Sequence, residues 1–244
     1  MLRISVCIPM YNESAIIADN AKRLWEYMEH NFVNDLGERE YEIIYSNDGS
    51  TDGCDQIIRD LALPGVVLAG YEKNQGKGCA VKNAMLLAKG DICMFTDADL
   101  AYGTDVIKQM VETFDKNPES ELVIGSRNLS EDGYKNYTFI RKLASKIYIK
   151  ILCIAGGFKL SDSQCGCKGF RREAAREIFP RLQVNGFAFD FEALLWASKL
   201  NYKITEMPVS VKVHGESKVR ILRDTFKMLR DISQMKKRIK KTNI

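Results

Sequence analysis

The sequence predicts an α/β fold: a mainly parallel β-sheet with helices on both faces. Two observations predict it. Through the first half of the chain, short β-rich runs alternate with amphipathic helical patterns, the order expected when each strand is followed by a crossover helix. Polar motifs then fall just after those runs, where open α/β sheets collect their ligands. With 244 residues, 45% of them hydrophobic and 28% charged, the chain can bury a sizeable core.

The elements follow in order. "RISVCIP" is the first strand, and behind it Ile17, Leu24, Met28 and Phe32 recur at helical spacing with Ser14 as the cap. "YEIIYS" is the second strand and "TDGCDQIIRDL" its helix. "GVVLAGY" is the third, followed by the helix "GCAVKNAMLLAKG", which closes at Gly90. "DICMFT" is the fourth, "TDVIKQMVETF" a helix capped by Thr104, and "ELVIGS" the fifth strand. The second half is less regular. "YTFIRKLASKIYIKILCIAGGF" is a long amphipathic helix in which Ile140, Leu143, Ile147 and Ile151 interleave with Arg141, Lys142, Lys146 and Lys150. The polar loop "KLSDSQCG" leads to a strand-like "CKGFRR", two more helical pieces and the alternating strand "KITEMPVSVKV". No repeat, low-complexity tract or linker interrupts this order. The reading is one domain over 1–220, with a nucleotide-binding half (1–127) and an acceptor half (128–220), then a basic amphipathic helix over 221–244.

Composition excludes several classes. No apolar run approaches the roughly 18 residues that cross a bilayer, and the N-terminus lacks a signal peptide's layout; the expectation is a cytoplasmic chain that does not span a membrane. Seven cysteines, mostly inside apolar segments, read as reduced thiols and not a disulfide framework. "CGC" has no second pair at zinc spacing. The net charge of +4 hides an asymmetry: from Lys212 onward, eleven Lys or Arg face three acids, so residues 1–211 sum to −4. A basic tail of this kind is either a solvated helix face or a contact for an anionic surface. No aromatic platform accompanies it, which argues against nucleic acid.

The four constellations at the strand ends are "YNE", "NDGSTDG", "NQGKG" and "DAD". Each alone is ordinary turn chemistry. In "FTDADL", however, Asp97 and Asp99 stand one residue apart, so both side chains can aim to one side as the chain leaves the sheet. One divalent cation would remove their repulsion, and Mg²⁺ or Mn²⁺ suits two carboxylates completed by phosphate and water. A solvated loop with two surface acids is the bland reading of that motif alone. The chain lacks a P-loop lysine motif, a GxGxxG and an EF-hand glutamate.

Taken together, "VCIPMYNES", "SNDGSTDG", "NQGKGCAV", "FTDADL" and "VIGSR" resemble family 2 glycosyltransferases of GT-A (Rossmann-like) fold. "SDSQCGCKGFRRE", "FAFDFEAL" and "VHGESKV" resemble the branch that makes polyprenyl-phosphate sugars, the dolichyl-phosphate glucosyltransferase and mannose synthase group, over about residues 4–220. The resemblance implies that Pro9, Tyr11 and Glu13 line the nucleotide pocket, that Asp48 contacts base or ribose, and that Lys77 lies near the sugar or diphosphate. It makes Asp97 and Asp99, with Ala98 between them, the metal-anchoring segment. One departure is Asn47, where relatives carry a first aspartate. Arg127 and Arg141 match the arginines that bind the lipid phosphate, and Lys212 and Lys218 a basic pair that closes over the phosphates. Asp162, Gln164, Asp190 and Glu192 match supporting positions.

A phosphate monoester acceptor is largely dianionic at neutral pH and needs guiding cations more than a base. A hydroxyl acceptor would instead need one, and Asp190 is then the first choice. His214 and His30 read as structural and surface residues. The expected activity is inverting, metal-dependent transfer of a hexose, from UDP-glucose, to a polyprenyl phosphate. The alternatives are a transferase acting on a glycan or lipid hydroxyl, a GDP-mannose-using synthase, and a non-catalytic nucleotide-sugar sensor. The helix around Ile140–Ile154 and the tail from Ile221 to Lys241 both carry the pattern of a segment lying peripherally on an anionic membrane. A separate membrane-protein partner is compatible with the sequence.

Overall fold

The computed structural model describes residues 3–134, 139–212 and 232–242. The five apolar runs of the first half become β1 (Ile4–Met10), β2 (Tyr41–Asp48), β3 (Val66–Tyr71), β4 (Ile92–Phe95) and β5 (Leu122–Ser126); β6 (Lys168–Arg171) and β7 (Ile204–Pro208) follow. They form one sheet in the order β3-β2-β1-β4-β6-β5-β7. Parallel pairs join β1 to β2 and β4, β2 to β3, and β5 to β7. β6 runs antiparallel to both β4 and β5. Two reversals restore direction, so β5 and β7 run with β1–β4. The carboxyl ends of six strands and the leading end of β6 therefore share one rim.

Alternation along the strands sends side chains to two cores. Ile4, Val6, Ile8, Met10, Ile43, Met94 and Val123 pack on one face with α1 (Ser14–Asn31), α2 (Cys54–Leu61) and α4 (Asp105–Lys116). Cys7, Ile44, Cys93, Phe95, Leu122 and Ile124 pack on the other with α3 (Lys77–Leu87), α6 (Arg172–Ile178) and α7 (Phe189–Lys199). From the long helix α5 (Phe139–Gly156), Leu152 joins this second core. The seven cysteines are free thiols.

Several boundaries differ from the sequence reading. Ser14 is the first residue of α1 and not its cap; its amide donates to Asp52 Oδ2 at 2.7 Å, so a carboxylate from the β2–α2 loop does the capping. Thr104 sits at the cap position of α4 but makes no side-chain capping bond. α3 ends at Leu87, short of Gly90. The largest difference is in the tail. Residues 232–241 form a helix, α8, whose Ile232, Met235 and Ile239 are buried in the second core. Its apolar face is spent on the protein and not on a membrane, because the helix α7 offers a matching surface and a buried acid, Glu192, that Arg238 pairs with. The remainder of the tail, 213–231, with His214 and Lys218, lies outside the described residues. Among the described residues no helix is long and apolar enough to cross a membrane.

Candidate active site

The rim collects the motifs because each strand delivers its following loop there. Beyond β4 the chain turns at once: the Leu100 amide donates to Asp97 O at 3.0 Å, the Ala101 amide to Asp99 Oδ1 at 3.0 Å, and Leu100 takes φ 49°. Asn20 of α1 donates to Ala98 O at 2.9 Å, pinning the middle of the turn. Asp97 and Asp99 are thereby held on one short loop. Burial pushes the Asp99 carboxyl up, the neighbouring Asp97 charge adds to this, and the Ala101 amide and Lys77 oppose it. Two acids in mutual repulsion and partial burial are a site prepared for a cation.

Lys77 supplies one positive charge. It opens α3, and its Nζ lies 2.5 Å from Asp97 Oδ1. Burial works against its charge, yet Asp97 outweighs that, helped by Asp190 and Asp99, and the pKa is raised. On the other side of Asp97, a Cβ on Gly166 would stand 2.5 Å from Asp97 Oδ2. Only glycine leaves that carboxylate its place.

Asp48 is committed to the neighbouring loop. Its carboxylate, 3% exposed, accepts from Tyr71 Oη at 2.7 Å, Asn74 Nδ2 at 3.0 Å and the Gln75 amide at 2.8 Å. The Gly76 amide lies 3.0 Å from both oxygens. This web shapes "NQGKG" ahead of Lys77. Asn47, the departure noted above, accepts from the Ser50 amide at 2.9 Å, and Asn12 and Ser50 tie the β1 and β2 loops together. Pro9 is buried at the end of β1, Tyr11 is 42% exposed beside it, and Glu13 precedes α1.

A second cluster lies further along the rim. Arg127, following β5, directs Nε and Nη2 at the two oxygens of Asp162, at 2.7 and 3.1 Å. Asp162 is fully buried and also accepts from the Gln164 amide at 3.0 Å. Burial works against the guanidinium's charge, but Asp162 holds it firmly protonated. Glu206 of β7 accepts from the Ser161 and Asp162 amides and so fixes this loop to the sheet. Arg127, Lys142 and Lys146 lie over the Tyr134 ring at 5.7, 5.9 and 5.7 Å from its centroid. Three cations thus surround one aromatic ring. Arg141 belongs to the first turn of α5, with its side chain outside the described part.

Lys212, Glu192 and Asp190 each have partners within the protein. The Lys212 ammonium pairs with Asp105 at 2.6 Å on the first turn of α4, while its amide donates to Ala101 O at 2.7 Å. It flanks the aspartate turn through its backbone. Glu192 is a fully buried strut: it accepts from the Gln183 and Val184 amides at 3.0 and 2.8 Å and from Arg238 of α8. Asp190 is near the donor side but its Oδ2 is taken by Lys168 at 3.0 Å. Lys168, Gly166 and Glu206 were not singled out in the sequence. For Lys168 a signal existed: it alternates with Cys167 and Gly169 at the start of a strand, at a position that packs inward.

The profile of the family described as glycosyl transferase family 2 matches residues 5–179. The chain belongs to that family. It is 33% identical over 234 residues to a dolichyl-phosphate beta-glucosyltransferase of Trichomonas vaginalis, covering 93% of this chain and 69% of that protein. It is 31% identical over 244 residues to the dolichyl-phosphate beta-glucosyltransferase of Dictyostelium discoideum, covering 96% and 73%. Among solved structures, the glucosyl-3-phosphoglycerate synthase of Mycobacterium tuberculosis in complex with Mn²⁺, UDP and phosphoglyceric acid matches with a TM-score of 0.67 at 18% identity, over 100% of this chain and 80% of that one. That likeness is one of fold. This family 2 glycosyltransferase is therefore an enzyme of sugar transfer with the GT-A architecture that its motifs imply.

Proposed function

We propose that this glycosyltransferase moves glucose from UDP-glucose, with inversion, onto a polyprenyl phosphate at a membrane's cytoplasmic face. The observation that carries the reading is the pairing of two unlike clusters on one rim: acids at the tip of β4, and cations around Arg127 and Tyr134. The relatives named dolichyl-phosphate beta-glucosyltransferases support the same acceptor and sugar.

On the donor side, Asp97 and Asp99 fit Mg²⁺ or Mn²⁺ by donor type, and Gly166 keeps the space at Asp97 clear. Among the described residues no third ligating side chain joins them, which suits an ion completed by diphosphate and water. Such an ion, when bound, offsets negative charge developing on the departing nucleoside diphosphate. Lys77 adds a cation at the same place. Tyr11 offers an exposed ring for a base, and the Asp48 web holds the loop that carries Lys77.

On the acceptor side, the chemistry needs an anion held in line and no proton removed from it. Arg127, oriented by Asp162, with Lys142 and Lys146, supplies the charge; Arg141 opens the same helix. With Nε and Nη2 of Arg127 taken by Asp162, the two-pronged contact falls to Arg141, a residue type suited to phosphate oxygens. The lipid tail would leave toward α5, where Leu143, Ile147, Ile151 and Ile154 are 49, 52, 43 and 70% exposed in one stripe, bordered by Lys146 and Lys150. That is the build of a helix lying in an anionic interface.

The test is incubation of the purified protein with a panel of nucleotide sugars and a short polyprenyl phosphate, with and without chelator. The expected result is a mass corresponding to hexosyl-phospho-polyprenol that disappears with chelator. Transfer to the unphosphorylated alcohol at equal rate, or full activity in chelator, overturns the reading.

A further inference from the structure

Lys168 is the fully buried lysine among the described residues. A charged ammonium is retained in a core only where it is paired and bonded. Lys168 opens β6 directly opposite Phe95, the last residue of β4 before the aspartate turn. Its Nζ lies 2.6 Å from Cys165 O, 3.0 Å from Asp190 Oδ2 and 5.9 Å from the Phe95 ring centroid.

Asp190 is held from two directions. It sits in the first turn of α7, where the helix's positive end favours an anion, and Lys168 takes one of its oxygens. The other, Oδ1, is buried with no hydrogen-bond partner. A buried carboxylate oxygen left unmatched is costly, and such atoms in folded proteins call for an explanation. The cation that the adjoining element brings to the donor side is Lys77, the first residue of α3, paired with Asp97. The starts of α3 and α7 are also locked together. The Gly78 amide donates to Asn185 O at 2.7 Å, and a Cβ on Gly76 or Gly78 would stand 2.5 Å from Asn185 O or 2.6 Å from Phe189 Cβ. Charges thus alternate from the core to the rim: Lys168, Asp190, Lys77, Asp97.

We propose that Lys168 is a positioning residue for donor binding: it holds the Asp190 carboxylate in place, so that the oxygen it leaves unused receives the Lys77 ammonium when the donor engages Asp97. Asp190 is then an anchor for a cation, not a base. The inference rests on the donor-site reading above.

The test measures UDP and GDP affinity by calorimetry with Mn²⁺ present, donor KM and kcat, and the thermal unfolding midpoint. The variants are Asp190→Asn, Lys168→Met and the double variant. Asp190→Asn and the double variant are expected to bind the preferred nucleotide about tenfold more weakly and to raise donor KM more than they lower kcat. The double variant recovers the midpoint lost in Lys168→Met, because no lone buried charge remains. A purely structural pair would restore affinity along with stability, and that result overturns the inference. Asp190→Asn with wild-type nucleotide affinity and KM overturns it as well, whether or not the double variant folds. Failure of the donor-site reading itself looks different: the wild-type protein then binds neither nucleotide.

Discussion

Gly166 stands against one oxygen of Asp97 and Lys77 against the other. A methyl at Gly166 would overlap Asp97 Oδ2, so Gly166→Ala is expected to lower transfer at least tenfold while circular dichroism and unfolding stay near wild type. Asp99→Asn removes one carboxylate from the pair, and the expected loss is about a thousandfold in kcat/KM, the scale of several kcal/mol of lost charge stabilisation. Asp52 provides a pH-dependent case. Burial works to raise its pKa, but the amides of Ser14 and Cys54 outweigh that and hold it at about 2. A lowered folded pKa gives stabilisation that is present above the unfolded value of about 4 and is lost as the pH falls toward 2. Asp52→Ala should therefore cost about 1 kcal/mol near pH 7, the usual worth of a cap, and the gap to wild type in urea unfolding should narrow steadily below pH 4. Some of this was legible in the sequence. Asp97 and Asp99 announced themselves by spacing, whereas "SNDGS" cannot say whether Asp48 faces a ligand or its own backbone. The structure shows four donors on it.

At the scale of elements, α5 and α8 look alike in sequence and differ in what they cover. Both alternate aliphatic and basic residues, and periodicity gives the apolar face without saying what lies opposite. α8 buries Ile232, Met235 and Ile239 and pairs Arg238 with the fully buried Glu192. Lys199 caps its end by donating to Ile239 O at 2.6 Å. Ile239→Ala should cost about 2–4 kcal/mol in urea unfolding, and Arg238→Met about 3 kcal/mol because a buried carboxylate loses its partner. Neither variant touches the rim, so kcat of the folded fraction should hold. α5 leaves its stripe exposed. Replacing Ile147 and Ile151 with glutamate should abolish flotation with anionic vesicles while leaving nucleotide affinity unchanged.

Across the whole molecule, the legible part was the sequence of strands and crossovers: each apolar run of the first half became a strand, and each carried its motif to the same rim. The direction of β6 was not legible, because "CKGFRR" has the same alternation whichever way it runs. Its neighbours decide: Phe95 pairs with Lys168 and Ile124 with the same residue from the far side. The reversal has a practical consequence. In an all-parallel sheet every loop on this edge is an outgoing one, tied to the helix behind it. β6 brings an incoming segment, 160–167, into the middle of the edge, wedged between the sugar-nucleotide half and β5. That segment carries both Asp162, which orients Arg127, and Gly166, which stands against Asp97, so one short loop links the two clusters, and altering it is expected to change the use of both substrates at once.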